Sequence, residues 1–458
     1  MFFLFCYVFF FKNFLLQIVW ENSDRIDREY YSAIFSNLEY AVLITILIFI
    51  ILFFYRQKFF SFLLKLSDKR LLVIILTLSV IIQLLILVFV HTIPISDSTY
   101  YIRLSQQLYS NGSYLNESGN PTSFWPIGLP AYLTFLKLIS DNNLLLTKLM
   151  NIVFSTLYIL LLFSLFKNEF SKKGKIAFLF SFMFFPNNLF NANIIMTEYL
   201  FSFLLWLIIF ILVRFNNSSL YLCLIGIISG LMSYLRPIGL LLPVIFLFYF
   251  YRNYGIKSAL LKAAGVVVIM ILMLSPWVYR NYMVFHRFIP VSTSGGINFL
   301  MGNHKFSNGG LNFNFEYDFN NPDEPLEEQK AYQKAFMDIL DDPGGAILRI
   351  PGKIFYSYFR GDSSITWALK STENYIAPIF LSFIFFSTNF YFYLVILLSI
   401  FGLVLRNTIK NGKLKMLFLY VYLFIVIIIM IYVGSERYII PLLPIHFFFF
   451  TKFVEYLT

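Results

Sequence analysis

The sequence predicts an all-α polytopic membrane protein with about twelve transmembrane helices, and two observations carry this prediction. Hydrophobic residues make up 59% of the 458 positions and charged residues only 13%, which gives a mean hydropathy of +0.74. The hydrophobic residues also gather into long runs, and roughly 20 consecutive apolar residues are needed to cross a bilayer as a helix. The strands of an outer-membrane barrel would instead alternate polar and apolar positions, and these runs do not.

Each apolar run is a predicted helix. In chain order the runs are 1–19, 38–55, 71–92, 144–166, 176–190, 194–213, 219–234, 237–251, 260–279, 381–405, 414–433 and 438–456. The first run lies within Met1–Trp20, which lacks a basic start and a small-residue cleavage site. It is therefore expected to remain as a helix rather than to be removed as a signal peptide. Cys6 and Cys223 lie in separate runs without metal-ligand spacing and say nothing about redox compartment.

Basic residues gather in four connecting loops, and this pattern predicts the orientation in the membrane. The four loops are 56–70, 167–175, 252–262 and 406–415. Because Lys and Arg are enriched in cytoplasmic loops, all four are expected in the cytoplasm, together with both termini. Counting helices then places 93–143 and 281–380 on the extracytoplasmic side. The same rule accounts for the net charge of +11, so no nucleic-acid partner is needed to explain it.

These boundaries divide the chain into four predicted parts. They are two accessory N-terminal transmembrane helices in 1–70, a transmembrane core in 71–280 with its first extracytoplasmic loop in 93–143, a small α-containing extracytoplasmic domain in 281–380, and C-terminal transmembrane helices in 381–458. The loop 93–143 is too polar to span the bilayer. Tyr100, Leu104 and Leu108 stand at helical spacing, which predicts an amphipathic helix on the membrane surface. A second helix is predicted over Leu129–Ile139.

The segment 281–380 offers the only room for a folded unit outside the membrane. Asn321 is typical of a helix N-cap and Pro322 of a first helical residue, and acidic residues follow them. The predicted helix runs to about Leu340, and another is predicted over Ala346–Phe359.

Ionisable residues at the mouths of the predicted helices are the candidates for chemistry, because such groups are costly at membrane depth. Asp97 follows the run 71–92, and Glu198 opens the run 194–213. These two acids are the catalytic candidates, with Asp97 favoured as a general base. The candidates for substrate binding are four arginines and three aromatic residues: Arg103, Arg236, Arg280, Arg437, Tyr100, Trp125 and Trp277.

This combination suits the transfer of a sugar from an anionic lipid. A sugar on a polyprenyl phosphate leaves with the phosphate, whose charge an arginine stabilises through two parallel hydrogen bonds. The incoming hydroxyl is a poor nucleophile, and a general base is worth about 10²–10⁴ in rate. The predicted partners are a polyprenyl-phosphate-linked sugar donor, an envelope glycan, lipid or protein acceptor, and the bilayer.

Each candidate also has an ordinary structural reading. Ser96-Asp97 is typical of a helix cap, and Glu198 of an acid in a first helical turn. Arg236 and Arg280 are compatible with interfacial anchors, and Trp125 and Trp277 with belt aromatics. The four histidines have no ligand spacing, so a histidine metal site is not expected, and no spacing in the sequence supports a divalent metal.

The order of the polar motifs resembles that of the GT-C glycosyltransferases that use polyprenyl-phosphate sugars, among them the protein O-mannosyltransferases and aminoarabinose transferases of the family-39 type. The matching segments are 95–105, 111–114, 121–132, 196–201, 226–237, 275–281, 290–296 and 436–444. The resemblance covers about residues 71–450 and implies a GT-C-like fold and an inverting transferase. It implies Asp97 as the base and arginines on the lipid phosphate.

Two departures from that family pattern matter. Many relatives follow the aspartate with a second acid, where this chain has Ser98, so a carboxylate pair and any metal that it would bridge are in doubt. Glu198 and Glu117 are the candidates for a second acid. The two runs before residue 71 have no counterpart and are expected to be accessory.

Two other functions fit parts of the pattern. An O-antigen-type polymerase shares the helix count and a large outer loop, but would depend on arginine-rich outer loops rather than on an aspartate. A lipid-linked oligosaccharide flippase or another transporter would show related halves and broken helices near mid-membrane. Here the polar groups stand at helix ends instead, and 281–380 has no counterpart in the first half.

Overall fold

The structure is a computed structural model that describes residues 25–215, 219–373, 375–405 and 409–457. Its α-helices are α1 Arg25–Ser36, α2 Leu38–Lys65, α3 Asp68–Phe89, α4 Asp97–Asn111, α5 Gly128–Ile139, α6 Asn143–Phe166, α7 Lys172–Met183, α8 Pro186–Phe190, α9 Glu198–Arg214, α10 Ser219–Leu235, α11 Leu242–Phe285, α12 Gly295–Asn303, α13 Glu324–Asp341, α14 Pro343–Tyr358, α15 Ser363–Lys370, α16 Pro378–Val404, α17 Gly412–Ile431 and α18 Leu443–Leu457. In these ranges β-structure is limited to two isolated bridges. The all-α prediction is confirmed; the helix predicted over 1–19 lies outside the described residues.

The predicted count of twelve transmembrane helices is not confirmed. Six helical segments of the described chain are long and apolar enough to cross a bilayer, and the number rises to eight if each of two bent pairs is one span. The six are Asp68–Phe89, Asn143–Phe166, Pro237–Phe285, Pro378–Val404, Gly412–Ile431 and Ile440–Leu457. They establish an integral membrane protein.

Several predicted runs form helices shorter than the runs themselves. The run 176–190 is divided between α7 and α8, and α9 and α10 have 17 residues each. A 17-residue helix rises only about 25 Å, less than the roughly 30 Å of a hydrocarbon core. The run 260–279 and most of the run 237–251 fall in α11, which begins at Leu242 and is broken at Gly255 with φ +75°. An apolar run in the sequence therefore does not always correspond to one membrane-length helix.

Aromatic side chains fill the centre of the helix bundle. The ring of Phe166 on α6 lies 5.6 Å from Trp206 on α9, 5.8 Å from Phe418 on α17 and 5.2 Å from Phe448 on α18. These edge-on contacts join four helices that are distant in sequence. Aromatic pairs of this kind contribute about 0.5–1.5 kcal/mol each beyond their buried area.

The four helices predicted in the segments 93–143 and 281–380 are present in the structure, with small shifts at their ends. The amphipathic helix of the first loop is α4, and its partner Leu129–Ile139 is α5. In the segment 281–380, α13 begins two residues later than the motif suggested, because the side chain of Asp323 rather than Asn321 caps it. The predicted helix at 346–359 is α14, which begins at Pro343 behind an Asp342 cap.

Helix α1 packs against α16 and α15, so the N-terminal part contacts the rest of the chain. The phenol of Tyr31 on α1 accepts a hydrogen bond from Arg360, which is also paired with Asp362. The division of the chain into four parts stays a prediction, since contacts between helices do not show where one part ends and the next begins.

Candidate active site

Asp97 and Arg437 form an ion pair at the start of α4. Nη1 of Arg437 donates a 2.8 Å hydrogen bond to Oδ2 of Asp97. The side chains are 16% and 23% exposed for Arg437 and Asp97 respectively, so the pair is largely shielded but still reachable. For the other carboxylate oxygen, Oδ1, the described residues offer one hydrogen-bond partner, the Ser96 hydroxyl at 3.5 Å.

The backbone turn in front of Asp97 is strained. Ser96 has φ +47° and ψ −125°, a conformation that non-glycine residues rarely adopt. Its hydroxyl makes no helix-capping hydrogen bond, so the capping interpretation of Ser96-Asp97 is wrong. Strain of this kind costs about 1–3 kcal/mol and is concentrated at functional sites. The turn points the Asp97 carboxylate at Arg437 instead of at the helix backbone.

Glu198 lies on the other side of the same arginine. Its Oε1 is 3.5 Å from Arg437 Nη1 and 3.6 Å from Arg236 Nη2. The Glu198 side chain is only 4% exposed, and its Oε2 has no hydrogen-bond partner among the described residues. We refer to Asp97, Glu198, Arg236 and Arg437 as the carboxylate–arginine cluster; sequence positions from 97 to 437 contribute to it.

The charges in this cluster balance one another. Burial on its own would lower the pKa of Arg437, but Asp97 and Glu198 outweigh burial and hold that pKa above its ordinary value. The guanidinium therefore stays charged. Two carboxylates face two guanidinium groups, and the ring of Tyr438 lies 5.2 Å from Arg236. The cluster has no cationic charge in excess for an anionic ligand.

Arg103, Tyr100 and Trp125 form a second group on the loop beside Asp97. The Tyr100 and Trp125 rings are stacked with centroids 5.0 Å apart, and the Arg103 guanidinium lies 5.2 Å from the Tyr100 ring. Arg103 forms an ion pair with Glu117 at 3.1 Å. Glu117, a candidate for the second acid, is therefore paired with this arginine. The stacked pair is a flat aromatic surface formed by Tyr100 on the helix of the candidate base and by Trp125 from the loop before α5.

Arg280 and Trp277 are not brought into the carboxylate–arginine cluster. Arg280 donates to the backbone carbonyls of Tyr114 and Thr122 at 3.1 and 2.8 Å, which fixes the returning half of the first loop. Trp277 is buried, and its indole donates to the carbonyl of Val291 at 2.7 Å. Both residues hold loop backbone in place.

A buried glutamate joins the first loop to the segment 281–380. Glu324, at the start of α13, accepts hydrogen bonds from the Thr122 hydroxyl at 2.5 Å, the Ser123 amide at 2.8 Å and the Thr293 hydroxyl. Its side chain is 5% exposed. Sequence reasoning assigned it only to an acidic helix start, because the partners come from two distant loops.

The turn that carries Arg437 is also held by this segment. Lys353 on α14 is buried and donates to the Met430 and Ile431 carbonyls at 2.9 and 3.0 Å, and burial lowers its pKa to about 8. A side chain on Gly434 would come within 2.1 Å of the Lys353 carbonyl. The close approach therefore requires glycine three residues before Arg437.

Trp367 and Lys148 border the candidate site but were missed by sequence reasoning. The Trp367 ring lies 5.7 Å from the guanidinium of Arg437. Lys148 stands near the start of α6 and donates to the Thr92 hydroxyl at 2.7 Å. Lys148 could have been found from the sequence, because it is a single cation inside the apolar run 144–166 and ionisable groups are costly at membrane depth. Trp367 had no such signal, because only the fold brings α15 to the 437 turn.

The donor set does not fit a divalent cation. A divalent cation bridging the two acids would meet the positive charge of the Arg437 guanidinium, which already lies 2.8 and 3.5 Å from one oxygen of each acid. Across the part of the chain that the structure describes, no three His, Cys, Asp or Glu side chains gather in a group that suits a metal ion.

Neither a protein-family model nor a curated protein matches this sequence. Solved structures do match its fold. An archaeal oligosaccharyltransferase from Archaeoglobus fulgidus, in its apo form, superposes with a TM-score of 0.51 at 13% identity and covers 86% of this chain. Another structure, of the archaeal oligosaccharyltransferase with an inhibitory peptide and a dolichol-phosphate, has a TM-score of 0.46 at 12% identity and covers 85% of this chain.

The chain spans about half the length of these structures, 50% in each case. Identities this low indicate a shared fold and no more. The finding supports an all-helical GT-C-like membrane fold, in agreement with the motif order.

Proposed function

We propose that this chain is a membrane glycosyltransferase that moves a sugar from a polyprenyl-phosphate carrier to a hydroxyl group of an extracytoplasmic acceptor, with inversion at the anomeric carbon. The observation that carries the proposal is the Asp97 carboxylate, which Arg437 orients through Oδ2 while Oδ1 is left for a substrate. The GT-C-like fold supports the same reaction class. The acceptor is an envelope glycan, lipid or protein.

The reaction is a single displacement. The acceptor oxygen bonds to the anomeric carbon while the bond from that carbon to the phosphate oxygen breaks. The lipid phosphate leaves with the electron pair, and the hydroxyl proton passes to Asp97. Attack opposite to the leaving group inverts the anomeric centre. A positioned base contributes about 10²–10⁴ in rate, or roughly 3–5 kcal/mol of barrier.

The neighbouring residues have separate proposed roles. Arg437 holds Asp97 in its reactive orientation, and Glu198 fixes Arg437 and Arg236 from the other side. The unpaired Oε2 of Glu198 is an acceptor for a sugar hydroxyl. The stacked Tyr100–Trp125 pair offers a flat apolar face for a sugar ring. Arg280 and Trp277 contribute indirectly, by fixing the loop that carries Trp125.

The site is proposed to face away from the cytoplasm. The basic loops at 56–70 and 167–175 meet at the opposite ends of their helices, where Lys172 and Lys175 both pair with Asp68. By the positive-inside rule that end is cytoplasmic. A cysteine placed at Ser118, which lies in an exposed turn of the first loop, should then react in intact cells with a thiol reagent that cannot cross membranes. Labelling only after the membrane is broken would place the site inside.

Sugar transfer in membranes is the direct test. Vesicles containing the wild-type chain should transfer label from a polyprenyl-phosphate sugar, and Asp97→Asn should lower turnover by about 10²–10⁴. Asp141→Asn is the matched control, since Asp141 is fully exposed and forms a surface ion pair with Lys137. Wild-type turnover in a well-folded Asp97→Asn protein would remove Asp97 from the role of base. No transfer by the wild type with any polyprenyl-phosphate sugar would overturn the proposed function.

A further inference from the structure

A mostly apolar cavity of about 430 Å³ lies directly beside the carboxylate–arginine cluster. Its inner wall includes Ser98, the neighbour of Asp97, and Trp367, whose ring contacts Arg437. Its outer wall includes Val88, Ile93 and Leu145, whose side chains are 60%, 46% and 44% exposed. These three belong to or adjoin membrane-crossing helices α3 and α6, so the outer wall faces lipid. The cavity therefore extends from the lipid-facing side of α3 and α6 to Ser98, the residue next to the candidate base.

Lys148 is the lysine that lines this cavity. Its ammonium group donates to the hydroxyl of Thr92 at 2.7 Å and to the Thr92 carbonyl at 3.3 Å. Within the described ranges no carboxylate pairs with it. A partly buried ammonium among apolar walls and neutral acceptors lacks the counter-ion that such a group normally has.

The nearby arginines differ from Lys148 in this respect. Arg103 pairs with Glu117, and Arg236 and Arg437 pair with Glu198. Their charges are already neutralised by protein carboxylates. Lys148 is therefore a cation of the cavity wall whose charge is left for an incoming anion, and no carboxylate of the described ranges pairs with it.

We propose that this cavity binds the polyprenyl phosphate of the donor, with the first isoprene units along its apolar wall and the phosphate on Lys148. The inference rests on the proposed function for the identity of the lipid. It changes the assignment of the phosphate ligand, which sequence reasoning gave to arginines. An anion held here lies in a cavity bordered by Ser98, the residue that follows the candidate base Asp97 in the chain.

Farnesyl phosphate, a short polyprenyl phosphate, is a suitable probe for equilibrium binding to the full-length chain in nanodiscs. Lys148→Met keeps the length and apolar stem of the side chain but removes the charge, and we expect at least tenfold weaker binding of farnesyl phosphate. Farnesol, which lacks the phosphate, should bind both proteins equally. Leu145→Trp narrows the cavity at its lipid-facing rim and should weaken both ligands at least tenfold.

Lys137→Met is the control, because Lys137 lies on α5 and is paired with Asp141. It should bind farnesyl phosphate as the wild type does. Unchanged affinity of Lys148→Met for farnesyl phosphate would overturn the assignment of Lys148 as the phosphate ligand. Unchanged affinity of Leu145→Trp would overturn the assignment of this cavity as the lipid-binding site. Displacement of farnesyl phosphate by inorganic phosphate alone would also overturn it, since the site would then be one for the free anion.

Failure of this proposal and failure of the proposed function give different results. If the wild type transfers sugar but Lys148→Met binds farnesyl phosphate normally, the function stands and this site is wrong. If Lys148→Met loses binding but the wild type transfers no sugar, the lipid-phosphate site stands and the transferase function is wrong. Should Lys148→Met fail to fold, two other variants test the site. Lys148→Arg, which keeps the charge, should still bind farnesyl phosphate, and Leu145→Trp should lose binding.

Discussion

Arg437 donates a 2.8 Å hydrogen bond to Asp97 although 340 positions separate the two residues in the sequence. The same nitrogen lies 3.5 Å from Glu198, so one guanidinium group joins two acids that stand at the starts of different helices. The guanidinium also lies 5.7 Å from the ring of Trp367, and a planar guanidinium stacks on aromatic rings better than a compact, strongly hydrated ammonium group does. These contacts together favour arginine at position 437.

Arg437→Lys should therefore lower kcat/KM even though it keeps the charge. Loss of one charge-assisted hydrogen bond costs about 1.5–3 kcal/mol, or roughly 10- to 150-fold. Steady-state transfer in vesicles measures the effect. Arg287→Lys is the control, since the Arg287–Asp323 pair is exposed, at 41% and 46%. Equal activity of the wild type and Arg437→Lys would show that charge alone suffices at this position.

Glu198→Gln should destabilise the protein, because it leaves Arg236 and Arg437 in a shielded site with less compensation. Breaking a buried ion pair costs about 3–5 kcal/mol, while the double variant with Arg236→Gln should lose less than the sum of the two single changes. Thermal unfolding of the purified proteins measures this. Asp68→Asn is a matched control, since Asp68 also pairs with two cations but is 42% exposed. Strict additivity in the double variant would mean that the two side chains do not interact.

Glu324→Gln should loosen the first loop without touching the candidate base. The carboxylate holds Thr122, Ser123 and Thr293, and hydrogen bonds to charged groups are worth about 1.5–3 kcal/mol. Hydrogen exchange at the Ser123 amide should speed up by roughly 10- to 150-fold. Glu316→Gln, on an exposed residue of the same segment, should leave that amide protected. If both variants exchange like the wild type, the loop is held by other contacts.

Glu328 on α13 should make stability depend on pH near neutrality. Burial raises the pKa of Glu328 from 4.5 to about 7, although the amides of Gly295 and Gly296 oppose the shift. A folded state that binds the proton more tightly than the unfolded chain loses stability as pH rises, here between about 4.5 and 7. Melting temperatures of the wild type should fall across that window. Glu328→Gln should flatten the slope, and an unchanged slope would assign it to another group.

The helical membrane class followed from the sequence, because any chain must satisfy its backbone hydrogen bonds internally when it crosses a bilayer. The local helix signals were equally dependable, and α4 and α5 lie where the spacing placed them. The number of membrane crossings could not be predicted from the sequence in the same way. Whether an apolar run spans or bends depends on packing, as the 113° angle between Pro186–Asn193 and Glu198–Arg214 illustrates.

The candidate site was also predictable only in part from the sequence. The sequence by itself singled out Asp97, Glu198, Arg236 and Arg437, because ionisable residues are costly at membrane depth and must have a reason to be there. Only the tertiary structure decided that these four share one cluster, that Arg280 and Trp277 hold a loop in place, and that no acid of the described ranges pairs with Lys148. Pairing depends on distances of a few ångströms between segments hundreds of residues apart, and such distances are set by helix packing rather than by local sequence.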